Sequence, residues 1–536
     1  MALASLALAS PTLFAQGKSD STPASSVVEV SLPDRYDSTP AALRDIPDRR
    51  PTTPARGGRD FEPGRPEPVG HTNPNVIDPL AANAGPVKTS AVNIAAATSG
   101  TPVDPAYRVA PPDTTGDLGP NHYVQWVNLR YAVYTLSRDS SNLITSFNLV
   151  PGFPKNGNTI WQGFGGPCES YNDGDPIVQY DQANNRWILT QFAVSATPYT
   201  QCIAVSQTGD PTGAYYRYSY SFGTDFNDFP KMGVWSNGYY ITYNMFRRGR
   251  TFSGNKVCAY ERDQMLTGAV ARQICAQTSS SYGSLLPADV EGSTFPAASA
   301  AIPLLSISSS SVYYWKFAVN WTGGTGTLTG PVTVPGVATF SRACSGGSCI
   351  RQPGTTQTLD SLADRLNYRL SYRKFADGHE SLLVNHAVAT SGVSGIRWYE
   401  FRNATGQSVS SATPVVYQQG TYSPTADYRW MGSAAMDKTG GIAIGYNVSN
   451  STTIKPSIRY SYRSAADTLG ILGGETQVLA GTGSQTATLS RWGDYSTISV
   501  DPVDGCQMVF TTEYIPANGT FNWATHIASF KLSSCN

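Results

Sequence analysis

The chain has 536 residues, with 38 basic and 38 acidic side chains and a formal net charge of zero. That balance excludes the global basic field on which nonspecific nucleic-acid binding depends. Only 14% of residues are charged and the chain holds 50 Gly and 30 Tyr, against about 25% charge in an average soluble protein, a profile that suits an extracellular all-β protein.

Taken in order, residues 1–17 (MALASLALASPTLFAQG) form a short apolar run ending in small residues, which reads as a secretory signal although no Lys or Arg precedes it. Residues 18–100 are rich in Pro, Ser, Thr, Asp and Arg and lack apolar periodicity, so they read as a disordered linker or pro-segment. No later run reaches the roughly 18 apolar residues of a membrane span. The folded part is expected over 101–536.

Within it one pattern recurs: a strand, a polar turn and a second strand, clearest in DGDPIVQYDQANNRWILTQFAVS from Asp173. First strands are placed near His122, Asp175, Lys231, Pro287, Leu366, Arg429 and Arg491, each opening a unit of roughly 50 to 80 residues. Third strands such as CIAVSQ from Cys202 and THIASFKL from Thr525 alternate apolar and polar residues, as half-buried antiparallel strands do. Seven such units predict an all-β fold, a single β-propeller of seven four-stranded blades. The last unit is about one strand short, and Ala106 to Pro111 is assigned to close it, leaving no open edge. A long β-sandwich or two smaller β domains is the alternative, since the unit from Leu286 to Phe340 matches the pattern poorly.

The eight cysteines include no CxxC spacing, which argues against zinc or redox chemistry and for structural disulfides. Chain neighbours are the economical pairs: Cys168 with Cys202, Cys258 with Cys275, Cys344 with Cys349, and Cys506 with Cys535.

The segments PPDTTGDLGPNHYVQWVN from Pro111, GDPIVQYDQANNRWILTQF from Gly174, TGDPTGAYYRY from Thr208 and RWGDYSTISVDPVDGC from Arg491 resemble those of a group of secreted, largely uncharacterised bacterial proteins. The resemblance covers most of the chain after Pro111. It implies export, to the medium or the periplasm, and carries no reaction or catalytic residue.

On a propeller, first strands start and second strands end on the face where ligands gather around the central channel. At the starts stand Asp117 and His122, Asp173 and Asp175, Asp228 and Lys231, Asp289 and Glu291, Arg365 and Arg369, Arg429, and Arg491 with Asp494. At the second-strand ends stand Gln191, Asn244, Asn385 with His386, Asn447 and Glu513. Carboxylates facing arginines suit a polyhydroxylated or anionic glycan. Glycosidic hydrolysis needs one protonated and one ionised acid, for which Asp175, Asp228, Glu291, Asp494 and Glu513 are the candidates. Arg369, Arg429, Arg491, Lys231, His122, Gln191, Asn244, His386 and Asn447 are the candidate substrate-binding residues. The plainer reading of each is structural, because buried amides and carboxylates commonly tie neighbouring sheets through backbone hydrogen bonds.

Sialidases also gather arginines in a propeller, but their SxDxGxTW box is absent, so the likeness is one of fold. Asp181 and Asp501, its nearest approaches, read as turn-forming aspartates. A lyase using His122, His386 or a Tyr as base is a minor alternative, and His379 and Glu380 fall in a solvated turn of the far face. No GxSxG, Walker loop or HExxH occurs. Asn172 to Asp175 reads as a tight turn, a structural calcium near Asp173 and Asp175 being the weaker alternative. No cofactor is expected. Two readings from different classes follow: a secreted glycoside hydrolase acting as a monomer on an acidic or decorated polysaccharide, and a non-catalytic propeller that binds glycans or proteins.

Overall fold

The computed structural model describes residues 28–49, 75–81, 94–101, 109–403, 407–486 and 488–535; the signal-like stretch 1–17 lies outside them. Among the described residues seven consecutive antiparallel meanders follow one another. Their inner strands are Thr114–Leu118, Ile177–Asp181, Phe226–Trp235, Leu286–Val290, Asn367–Lys374, Tyr428–Met436 and Thr497–Val500. Each inner strand packs on the next and the last packs on the first, so the sheets close into a ring around a channel. The protein is a β-propeller. The fourth unit, the least regular in sequence, forms a full meander, and its inner strand pairs in parallel with that of the fifth, Ala288 opposite Leu370.

The ring is held by two kinds of contact. Apolar side chains fill the space between sheets, and Trp126, Trp187, Trp235, Trp398, Trp430 and Trp492 are wholly buried there. Inner-strand backbone groups that have no partner in their own sheet are met by side chains of the next, as buried polar groups require. Tyr180 N–H donates to Asp117 at 2.8 Å, Val234 N–H to Asp289 at 2.9 Å, and Ile498 N–H to the Ser433 hydroxyl at 3.1 Å. The Thr497 hydroxyl donates to Thr114 O at 3.3 Å and joins the last sheet to the first.

The first inner strand is Thr114–Leu118, and His122–Val127 is the second strand of that sheet. The assignment of a first strand at His122 is therefore corrected: the Tyr-Val-Gln-Trp alternation that marks it belongs to the second strand, while the true inner strand is the short, polar TTGDL. The seventh sheet is completed by Ile94–Ser99, which pairs with Ala524–Lys531. Of the closing segment assigned from sequence, 106–108 lies outside the described residues and 109–111 forms no strand.

The stretch read as a linker also contributes further edge strands. Val28–Ser31 pairs with Gln273–Gln277 and Arg35–Ser38 with Tyr215–Gly223, covering the outer edges of the third and second sheets. Asp37 pairs with buried Arg217 at 2.7 Å, Leu43 and Ile46 are buried, and Asp78 pairs with buried Arg397 at 2.6 Å. These anchors are four-residue pieces within a polar stretch, so a composition window averages them away.

All four disulfides form as expected, Cys168–Cys202, Cys258–Cys275, Cys344–Cys349 and Cys506–Cys535. The last ties the chain end to the sheet that closes the ring. Replacing both Cys506 and Cys535 by Ser is expected to cost about 2–4 kcal/mol by the loop-closure argument, read as a fall in the urea midpoint. An unchanged midpoint would show that the seventh sheet closes without this bond.

Candidate functional site

Four inner strands carry a residue in the left-handed region at or near their start: Asp113 (φ 47°) and Asp175 (φ 44°) just before the first and second, and Phe229 (φ 52°) and Met431 (φ 51°) at bulges in the third and sixth. Asp tolerates that conformation, but for Phe and Met it costs on the order of 1–3 kcal/mol each, and such strain gathers at functional sites. Here it turns the chain into the channel and brings charged side chains of several sheets together at one mouth.

Asp113 is the centre of that set. Its carboxyl accepts from Asn128 Nδ2 at 2.6 Å and from Asp494 N–H at 3.3 Å. Arg491 Nη2 donates to Asp494 Oδ1 at 2.8 Å, with Asp360 4.0 Å away. Lys231 Nζ lies 3.4 Å from the centre of the Phe229 ring and 3.9 Å from that of Tyr495, and donates to Pro230 O at 2.9 Å. The Arg365 guanidinium stacks 4.3 Å from the other partner of that sandwich, Phe229. Burial, then the charges of Asp494 and Asp175, push the Asp113 carboxyl well above its usual range. Burial draws Lys231 down to about 8 against the pull of Asp175, Asp494 and Asp113. Asp113 and Lys231 are buried and Asp494 nearly so, whereas Asp175 is half-exposed. The mouth thus presents one accessible carboxylate backed by buried groups whose protonation depends on one another. Glu513 stands behind it, accepting from Gly493 N–H, its carboxyl also raised well above the ordinary range by burial.

Below the mouth the channel is occupied by side chains. The Tyr495 hydroxyl donates to Pro176 O at 2.9 Å and that of Tyr368 to Met232 O at 3.1 Å, each reaching from one sheet to another. Arg369 sits beside them and pairs with Asp117 at 3.3 Å, Asp289 at 2.9 Å and Glu291 at 2.8 Å. Burial raises Asp289 to about 6 and Glu291 to about 7 although Arg369 pulls both down.

The residues singled out from sequence therefore fall into three groups. Asp175, Asp494, Arg491 and Lys231 meet at the mouth, with Glu513 behind them. Arg365 joins them on the Phe229 ring, and Glu291, Asp117, Asp289 and Arg369 meet deeper, within the channel. The others stand elsewhere. Arg429 turns into its own sheet and is held by Glu475 at 2.8 Å, because the polar partner on the outer strand is nearer than the channel. His122 stands at the opposite end, its pKa lowered by burial beside Asp210, which follows from its place at the start of a second strand. His386 is buried between Phe340 and Tyr399, Nε2 3.0 Å from the Tyr399 hydroxyl, and burial beside Arg397 keeps it neutral.

Asp228 is buried opposite Asn244 in the third sheet. Asn244 accepts from Ser284 N–H at 2.7 Å, and Asn447 donates to Glu513 O at 2.8 Å while accepting from Trp492 Nε1 at 3.1 Å. Both amides stitch one sheet to the next, the plainer of the two readings. Gln191 and Asn385 are buried, and their side-chain amides meet no protein partner. Asp181 and Asp501 cap turns, accepting from Asn184 and Val503 N–H. Asp173 accepts from Val194 N–H, Ser195 N–H and the Ser195 hydroxyl, which accounts for it as a turn residue. Glu380, expected in solvent, is buried and accepts from Val409 N–H at 3.0 Å and from Ser408.

Asp113 was not among the candidates, since the first inner strand had been placed eight or so residues late. Its signal is the parallel between PPDTT and DGDPI: each sets an Asp in the left-handed region within two residues of an inner strand.

The fold and this mouth define a propeller with a buried, mixed-charge cluster at one end of a filled channel. The sequence matches no family model and no curated protein. Among solved structures the chain is similar to an α-L-arabinanase of Penicillium chrysogenum complexed with arabinobiose, at 9% identity and TM-score 0.35, over 82% of this chain and 99% of that one. It is similar to an endo-arabinase of Bacteroides thetaiotaomicron at 10% identity and TM-score 0.27, over 67% and 93%. An α-L-arabinofuranosidase of Fusarium graminearum gives 7% and 0.35, over 82% and 99%. Likenesses this distant transfer no residue role and no substrate. No helix among the described residues is long and apolar enough to cross a membrane.

Proposed function

We propose that the protein is a secreted, glycan-acting propeller that hydrolyses glycosidic bonds of an acidic or decorated polysaccharide at this mouth. The observation that carries the reading is the cluster of Asp113, Asp175 and Asp494 with Lys231 and Arg491, in which burial and the neighbouring carboxylates move the acid Asp113 up and burial moves the base Lys231 down. Groups pushed apart in pKa within one site are what acid–base chemistry at neutral pH needs. Asp175 is assigned as the acid that meets substrate, Asp494 as the buried acid behind it held by Arg491, Lys231 as the buried cation among them, and Asp113 as the buried proton-holding group beneath them. Four disulfides suit an oxidising compartment.

A second reading, a non-catalytic binder, is favoured by the side chains that cross the channel: Tyr368, Arg369 and Tyr495 bridge sheets below the mouth, and Asp117 and Asp289 are spent on backbone and on Arg369. A screen for reducing-end release from a polysaccharide panel, arabinan and uronate polymers included, separates the two. The hydrolase reading expects release by the wild type and a loss of about 10²- to 10⁴-fold in Asp175→Asn and Asp494→Asn. Binding without release, or full activity in both variants, overturns it.

A further inference from the structure

The face opposite the mouth carries two adjoining hollows on either side of the fourth sheet. One, of about 580 Å³, lies against the third sheet and is lined by Asn237, Arg262 and Trp321 among others. The other, of about 460 Å³, lies against the fifth and includes Lys316, Lys374 and Ser410. Ser299, Ala318 and Thr327 line both, so the hollows form one groove crossing three sheets. Its floor is kept low by small residues, with Ala297, Ala298 and Ser299 all exposed.

The lining has the parts that recognise a sugar chain. Trp321 is half-buried and its Nε1 donates to Asn237 O at 2.7 Å, so the indole is held in place before any ligand arrives and little rotamer entropy remains to be lost. Arg262 is anchored by its donation to Trp235 O at 3.0 Å and is paired with exposed Asp263. At the other end Lys316 donates to Ser411 O at 3.0 Å, and Lys374 stands 3.9 Å from Glu380, whose carboxylate also accepts from Ser408 and Val409. Ser410 is buried and its hydroxyl meets no protein partner, a cost of roughly 1–3 kcal/mol unless a ligand or solvent supplies one. A ring at one end, hydroxyl groups along the floor and two loosely held ammonium groups at the other match a polyhydroxylated chain bearing carboxylates.

We propose that this groove is a second binding site that takes an extended uronate-bearing glycan strand, lying from Trp321 to Lys374 on the face away from the mouth. It stands whether or not the mouth cleaves anything. The test is calorimetric titration of the full chain with sodium polygalacturonate, with neutral arabinan and poly-L-glutamate in parallel. Saturable binding of polygalacturonate is expected, weaker by about tenfold or more in Trp321→Ala, a loss equal to roughly 1.4 kcal/mol. The double variant Lys316→Gln, Lys374→Gln is expected to bind several-fold more weakly, and Val503→Ala, an exposed turn residue of the seventh sheet, as the wild type does. Circular dichroism identifies a variant that has lost its fold; should Trp321→Ala do so, the double lysine variant decides. No saturable binding, unchanged binding in both groove variants, a loss in Val503→Ala as large as theirs, tighter binding of neutral arabinan, or equal binding of poly-L-glutamate would each overturn the assignment.

Discussion

Arg369→Met is expected to destabilise the protein by about 3–5 kcal/mol, the range for removing one partner from a buried ionic set. Asp117, Asp289 and Glu291 converge on this guanidinium from two sheets, and a methionine keeps much of its volume while removing the cation that pairs with all three, Glu291 keeping only the more distant Arg373. The pH dependence gives the stronger test. In the folded protein Asp289 is raised to about 6 and Glu291 to about 7, above their ordinary values near 4, so the native state keeps protons that the unfolded chain has released. Their contribution is therefore fullest below about pH 4 and is lost as pH rises through 6 and 7. Without Arg369 both acids move further up, and the variant's deficit is larger at pH 8 than at pH 5. Glu291→Gln imitates the protonated acid, so it stays near wild type at pH 5 and gains on it at pH 8. Urea midpoints at the two pH values measure this, and a deficit larger at pH 5 would mean that the carboxyls are ionised in the fold and that Arg369 merely fills space.

How far the sequence led can be seen from particular residues. The meanders were legible because strands such as Arg186–Ala193 and Ile442–Ser449 are long and flanked by Gly, Asn or Asp turns, and the disulfides because each pair is joined by a short stretch of chain. The first inner strand was missed because TTGDL is short and polar and its burial comes from neighbouring sheets, a tertiary effect that no window of sequence contains. The mouth was half legible. Asp175, Asp494, Lys231 and Arg491 follow from counting polar residues at strand starts, whereas Arg429 fails because a charged side chain at such a position can turn into its own sheet, and the deciding partner, Glu475, lies 46 residues on. The edge strands before residue 100 were illegible for a related reason: each is too short to be stable alone and gains its structure from a finished edge.

The remaining large effect concerns Lys231. If the mouth hydrolyses glycosidic bonds, activity is expected to fall above about pH 8, where this buried amine gives up its proton. The mouth then has one positive charge fewer, the ionised acid loses part of its stabilisation, and an anionic substrate meets a more negative mouth. Lys231→Met is expected to lower kcat/KM by about 10²- to 10³-fold below pH 8, as removal of a preorganised charge does, and by progressively less above it, where the wild type has lost the same charge. Lys231→Arg, with a guanidinium that does not titrate in this range, keeps part of the activity and loses the alkaline limb. Stability moves the other way. Because burial holds the folded-state pKa of Lys231 below its ordinary value near 10.5, the fold prefers the neutral amine, and its contribution to stability rises as pH climbs from 8 toward 10.5. A cation that favours turnover while opposing the fold is one retained for chemistry: a methionine in its place is expected to raise the urea midpoint at pH 7. Equal pH–rate profiles for wild type and Lys231→Arg, or a Lys231→Met variant both less stable at pH 7 and fully active, would instead make Lys231 a structural ion between two aromatic rings.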